Sequence, residues 1–204
     1  MLITTEDADV DTGLGVMRMK IFRPKDESRA WPGLVLWSEI FAITGPIARA
    51  AQIFAGNGFT VAVPEFYHGF LAPGAALAYT PEDTQKGNDY KAAKELASYD
   101  ADISAALAWV LASPHCNGAV GTAGFCIGGA LAFRTALHPS CKAAVCWYAT
   151  DVHKGGRELA PALAPAAPPA SACPLHPPHS APLKQCQRAA MTPWRAWARS
   201  GARS

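Results

Sequence analysis

The 204-residue sequence predicts an α/β fold, a mostly parallel sheet with helices on both faces. Two features carry that prediction. Short apolar runs, Gly33–Trp37 and Phe59–Val63, have the composition of strands buried on both faces, while the stretches between such runs repeat apolar residues every three or four positions. Strand–helix alternation of this kind builds parallel sheets. Half of the residues are apolar and 17% are charged, which provides a core and excludes global disorder, a collagen-like rod and a coiled coil.

Taken in order, Val16–Phe22 alternates apolar Met17, Met19 and Ile21 with Arg18 and Lys20, the pattern of a half-exposed strand. Gly33–Trp37 is the first buried strand. Pro46–Asn57 carries Ile47, Ala50, Ala51 and Phe54 at helical spacing, with Pro46 in the first turn and Gly58 at the stop. Phe59–Val63 is a second buried strand, closed by Pro64. From Asn88 to Ala112 the positions Leu96, Tyr99, Ile103, Leu107 and Val110 predict one long helix. Ala119–Ala123 reads as strand, Ile127–Leu137 as helix and Ala143–Tyr148 as strand. Open parallel sheets bind ligands at the carboxyl ends of their strands, so Glu39, the Pro64–Gly69 turn, Cys126 and the Thr150–His153 loop are the positions to watch.

Charge divides the chain near residue 160. Residues 1–160 hold 13 basic and 16 acidic residues, net −3, whereas residues 161–204 hold five basic residues and no acid, net +5. That second segment carries nine of the 17 prolines and no Val, Ile, Phe, Tyr, Asn or Asp. Without β-branched aliphatics it supplies no buried strand, and its prolines interrupt helices. We expect a domain over 1–160 with its C-terminal strands missing, followed by a disordered basic Pro/Ala-rich tail over 161–204. A basic interaction tail is one reading of that segment. Translation of a shifted GC-rich frame is the other, and it is favoured because the tail starts where the fold still needs strands. Cys173, His176 and His179 are read as coincidental, since prolines surround them and a fourth metal ligand is absent.

No apolar run reaches a membrane span, and the acidic start at Glu6, Asp7, Asp9 and Asp11 has no signal-peptide pattern. Six cysteines without repeated spacing indicate reduced thiols, hence a cytoplasmic protein. No metal, other cofactor, membrane or nucleic-acid partner is expected. Trp31, Trp37, Trp109 and Trp147 read as core or strand-edge residues, Cys141 and Cys146 as small core residues, and Cys116 as a surface thiol.

The chemistry concentrates at Gly124-Phe125-Cys126-Ile127-Gly128-Gly129, between a strand and a helix. A sharp strand-to-helix turn presents its central side chain in a strained, exposed position, and flanking glycines remove Cβ clashes with neighbouring backbone. The following helix aims its positive end at the sulfur, which favours thiolate, and the Ile127 amide is placed to hold an oxyanion. Glu39, directly after an apolar strand, reads equally well as a functional carboxylate or a solvated loop acid.

Several stretches in order resemble one family. Ser38-Glu39-Ile40-Phe41 follows the first buried strand, Pro64-Glu65-Phe66-Tyr67 and Ala72-Pro73-Gly74 follow the second, and Asn117-Gly118 leads to the Cys126 elbow. From about Gly13 to Asp151 the chain resembles the dienelactone hydrolase family, cysteine-dependent members of the α/β-hydrolase fold. The resemblance implies hydrolysis of small esters or lactones, with Cys126 as nucleophile, Glu39 controlling its protonation, and the Ile40 and Ile127 amides as the oxyanion hole. It also requires an acid and a histidine after the nucleophile. This chain offers Asp151 and Glu158, and His138, His153, His176 and His179, none of them where the family pattern needs them, so no triad histidine or acid is assigned. Where the family carries an arginine for a substrate carboxylate, this chain has His68 and Gly69; His68 is the one nearby candidate for that role, its other reading is a surface loop residue, and the substrate within the family is left open. The alternative is a catalytically inactive, truncated relative.

Overall fold

A computed structural model describes residues 1–152. Six strands and four helices follow in the order β1 (Ile3–Asp11), β2 (Val16–Pro24), β3 (Trp31–Trp37), α1 (Gly45–Gly56), β4 (Thr60–Pro64), α2 (Pro81–Ala93), α3 (Leu96–Ala112), β5 (Cys116–Phe125), α4 (Ile127–Thr135) and β6 (Cys141–Trp147). They form one sheet in the order β1-β2-β4-β3-β5-β6. The β1–β2 and β2–β4 pairings are antiparallel, and the β4–β3, β3–β5 and β5–β6 pairings are parallel. Glu158, His153, His176, His179 and the whole of the expected tail lie outside the described residues, as does the expectation of missing strands beyond β6.

Each face of the sheet carries its own core. On one face α3 and α4 cover Met17, Met19, Ile21, Val35, Trp37 and Val120, with Tyr99, Ile103, Leu107 and Val110 supplying the helical side. On the other, α1 presents Ile47, Ala51 and Ala55 to Phe22, Leu34, Leu36, Val61 and Val63. Burial on both faces is why β3 and β4 carry no charged residue and are almost wholly apolar. Trp37, deep in this core, donates its indole N–H to Thr122 Oγ1 at 3.1 Å, and the same hydroxyl donates to the Val35 carbonyl at 3.1 Å. Trp31 and Trp37 lie within the core and Trp109 and Trp147 pack at its margins, as expected.

Two expectations are corrected. The single helix over Asn88–Ala112 is instead two, because Lys94 and Glu95 adopt extended backbone. The Lys94 ammonium turns inward, donates to Ser98 Oγ at 2.6 Å and pairs with Asp102 at 3.1 Å, which costs the helix its continuity at that point. Strand β1 was not expected. Its alternation of Ala8 and Val10 with Asp7, Asp9 and Asp11 is period-two, and the acids pair across to the neighbouring strand, Asp9 with Arg18 at 2.8 Å and Glu6 with Arg23 at 3.2 Å.

Candidate active site

Four segments converge at the carboxyl ends of the central strands: Glu39–Thr44 after β3, Pro64–Gly74 after β4, Cys126 between β5 and α4, and Tyr148–Val152 after β6. All four non-glycine residues with positive φ among the described residues, Ala42, Cys126, Tyr148 and Asp151, belong to these segments. Backbone held in such conformations persists only where the surroundings over-determine it, and it concentrates at functional sites.

Cys126 has φ 58° and ψ −122°. Its neighbours explain how the chain tolerates this. A Cβ on Gly124 would lie 1.9 Å from the Gly128 carbonyl oxygen, and one on Gly128 would lie 2.3 Å from the Ser38 carbonyl oxygen and 2.4 Å from that of Trp37. The elbow thus requires bare backbone on both sides of the cysteine, as the glycine spacing predicted. Backbone hydrogen bonds complete it: the Cys126 amide donates to the Trp147 carbonyl at 3.1 Å, and the Thr150 amide donates to the Cys126 carbonyl at 3.2 Å.

The sulfur is half-buried and receives the Ile127 amide, which pulls its pKa down. Burial dominates in the opposite sense, and the carboxylates of Glu39 and Asp151 add to it, with Lys91 opposing them. The balance holds the thiol above its ordinary range. The expectation of a helix-stabilised thiolate is therefore reversed in this arrangement: one amide at a helix end does not outweigh desolvation and two neighbouring negative charges.

Glu39 is half-buried, and its Oε1 accepts the Tyr148 hydroxyl at 2.8 Å. Burial and that carboxylate push the Tyr148 phenol up, so Tyr148 is a donor to Glu39 throughout the neutral range. Ile40 is 8% exposed and Ile127 fully buried, and a Cβ on Gly87 of α2 would lie 2.7 Å from the Ile40 carbonyl oxygen. The structure therefore brings Cys126, Glu39, Ile40 and Ile127 into one place.

It also brings residues that sequence reasoning did not single out together. Lys91, in the last turn of α2, forms a close ion pair with Asp151 Oδ2 and lies 3.4 Å from Thr150 Oγ1. No local pattern announces a pair 60 positions apart. His138 sits just beyond α4, where its Nδ1 accepts the Ser140 amide at 3.3 Å. Among the described residues no cluster of three or more His, Cys, Asp or Glu side chains could hold a metal ion.

His68 is corrected. It is no surface residue: its Nε2 lies 2.8 Å from Oδ1 of Asp102, which is completely buried, while Lys94 takes the other carboxylate oxygen. The histidine ties the loop after β4 to α3. Cys116 is corrected too, being half-buried, with burial pushing its thiol up. A cleft of about 380 Å³, lined by residues that include Glu6, Ile21, Trp109 and His115, opens near the amino ends of β3 and β5, away from the elbow.

With this geometry in view, residues 17–170 match the dienelactone hydrolase family. The chain belongs to the dienelactone hydrolase family. A Saccharomyces cerevisiae protein provisionally named carboxymethylenebutenolidase is 39% identical over 158 residues, 75% of this chain and 58% of the relative. The carboxymethylenebutenolidase of Pseudomonas putida is 32% identical over 126 residues, 60% of this chain and 52% of the relative. This dienelactone hydrolase family chain thus spans somewhat over half the length of the curated relatives it matches. Among solved structures, a provisionally named dienelactone hydrolase from Klebsiella pneumoniae superposes with a TM-score of 0.64 at 23% identity, over 73% of this chain and 61% of that one. The dienelactone hydrolase-like promiscuous phosphotriesterase from metagenomic libraries gives 0.59 at 21% identity, over 73% and 60%. These likenesses establish the α/β-hydrolase fold, as expected. Among the described residues no helix is long and apolar enough to cross a membrane.

Proposed function

We propose that this chain hydrolyses small esters or lactones by acyl transfer through Cys126. The observation that carries the reading is the strained Cys126 backbone at the β5–α4 turn, held between glycines that admit no side chain. The resting sulfur is a thiol. As it approaches the carbonyl carbon, its proton passes to the Glu39 carboxylate, the S–C bond forms, and the carbonyl oxygen becomes an oxyanion facing the Ile40 and Ile127 amides. Collapse breaks the C–O bond, and the departing alkoxide takes the proton from Glu39. Water then attacks the thioester, releasing the acid and restoring the thiol. Tyr148, donating to Glu39, fixes that carboxylate beside the sulfur.

A second reading is favoured by a specific observation: among the described residues no histidine stands beside Cys126, and the one that follows it, His138, is engaged just beyond α4. In that reading the chain is a catalytically inactive relative without a working base, and Cys126 acylates without turnover. Mixing the purified full chain with p-nitrophenyl acetate separates the two. Hydrolysis gives a burst followed by steady release, whereas the inactive relative gives a burst of one equivalent and a plateau. Cys126→Ala abolishes the burst in both cases. A burst that survives this substitution removes Cys126 from the chemistry.

A further inference from the structure

On the reading of Cys126 as the nucleophile, on which this rests, we infer that Lys91 is a positioning residue of the site: its ion pair with Asp151 ties α2 to the loop after β6 and holds the segment that braces the elbow. One short segment bonds the Cys126 backbone on both sides. The Cys126 amide donates to the Trp147 carbonyl at 3.1 Å, and the Cys126 carbonyl accepts the Thr150 amide at 3.2 Å. That brace is itself strained, with φ of 38° at Tyr148 and 64° at Asp151, so it keeps its shape only where its surroundings hold it. Strand β6, which leads into it, is half-buried or exposed after Cys141 and supplies little of that hold. Side chains supply it instead. The Tyr148 hydroxyl donates to Glu39 at 2.8 Å, while the Lys91 ammonium pairs with Asp151 Oδ2 and donates to Thr150 Oγ1 at 3.4 Å.

Lys91 works as a tie because α2 is anchored one turn earlier. Gly87, four positions before Lys91 and so on the same face, is the buried residue of this helix. Its Cβ would lie 2.7 Å from the Ile40 carbonyl oxygen, and its carbonyl accepts the Tyr67 hydroxyl at 3.3 Å. Tyr90 adds ring contacts to Tyr67 and Phe70, with centroids 5.7 and 5.1 Å apart. One face of α2 thus bears on the end of β3 through Gly87 and on the loop after β6 through Lys91, bridging the segments on either side of β5. The paired side chains are 21% and 28% exposed, so the tie is sensitive to salt and adds little to global stability. Its effect falls on alignment, because a small displacement of a reacting group is costly in rate.

The test follows two reactions of Cys126 on the full chain: the p-nitrophenyl acetate burst, which forms an S–C bond to a carbonyl carbon and expels p-nitrophenolate, and alkylation by iodoacetamide, which forms an S–C bond and expels iodide, read by mass spectrometry. Both consume thiolate, so a change of charge alone moves them together, whereas only acylation passes through an oxyanion that needs aligned donors. Neither needs turnover, so the outcome is independent of whether hydrolysis follows the burst. Lys91→Met should lower the acylation-to-alkylation ratio by about threefold or more, and Lys91→Arg, which can keep the pair, should stay within about twofold of the unaltered chain. Asp151→Asn breaks the same tie from the other partner and should match Lys91→Met, and the double variant should be no worse than either single one. Added salt should lower the ratio of the unaltered chain toward that of Lys91→Met. A loss below about threefold in Lys91→Met, an equal loss in Lys91→Arg, or losses that multiply in the double variant each overturn the positioning role and leave Cys126 as the nucleophile. A burst that survives Cys126→Ala overturns the nucleophile reading itself.

Discussion

Strands β3 and β6 flank β5 on either side, pair with it in parallel, and are both largely apolar, yet they are buried very differently. Every residue of β3 is buried, whereas after Cys141 the residues of β6 are half-buried or exposed. β3 is paired along both edges, to β4 and β5, and lies between α1 on one face and α3 on the other, whereas β6 is paired to β5 alone among the described residues. The elbow straddles this difference, drawing Glu39 and Ile40 from the well-packed side and the Tyr148–Val152 loop from the other. The same composition thus produces a rigid wall on one side of Cys126 and a looser one on the other, and burial rather than residue type sets how much each side contributes to stability.

The neighbouring glycines of α4 test this most severely, because each faces one wall. A Cβ on Gly128 meets the Ser38 and Trp37 carbonyl oxygens at 2.3 and 2.4 Å, backbone atoms of the fully packed strand that have nowhere to go. Gly128→Ala should cost more than about 4 kcal/mol in denaturant unfolding and prevent Cys126 acylation. A Cβ on Gly129 meets the Trp147 carbonyl at 2.7 Å and Ala149 at 2.9 Å, on the side that can shift. Gly129→Ala should cost about 2 kcal/mol. Equal losses would mean that the two walls are equally stiff.

A gentler comparison uses one residue type on both strands. Val35 is fully buried in β3 and Val145 half-buried in β6. Val35→Ala removes two methyl groups and leaves a cavity, an expected loss of about 2.5 kcal/mol. Val145→Ala should lose less than about 1 kcal/mol, since its surroundings are partly solvent. Chemical denaturation of the two variants checks the order.

What the sequence made legible follows the same division. The central strands and the elbow were readable because each obeys a local rule: β3 and β4 are short apolar runs, and Gly124-Phe125-Cys126-Ile127-Gly128 fixes its own backbone. The elements that escaped depend on distant partners. The α2–α3 break exists because Lys94 turns toward Asp102, although Thr80 and Pro81, which cap and open α2, did signal a separate start: the Thr80 hydroxyl accepts the Asp83 amide at 3.2 Å. His68 read as a loop residue because its carboxylate partner is 34 positions away. The Lys91–Asp151 pair, which changes the electrostatics of the candidate site, was invisible for the same reason.

The smallest expected effect is on the protonation of Cys126, and it sets the two walls against each other directly. Thiolate is the reactive form, and burial with the two carboxylates holds the folded thiol above its ordinary range, so alkylation by iodoacetamide should keep accelerating at pH values where a free thiol has levelled off. Glu39→Gln removes the stronger of the two carboxylate influences, from the β3 side, and should move the rate midpoint to lower pH. Asp151→Asn removes the weaker one, from the β6 side, and should move it in the same direction by less. Lys91→Met takes away the opposing cation and should move it up. If Asp151→Asn proved the larger of the two carboxylate effects, the loop after β6 would lie closer to the sulfur than the end of β3, and the rigid wall would not be the one that governs the nucleophile.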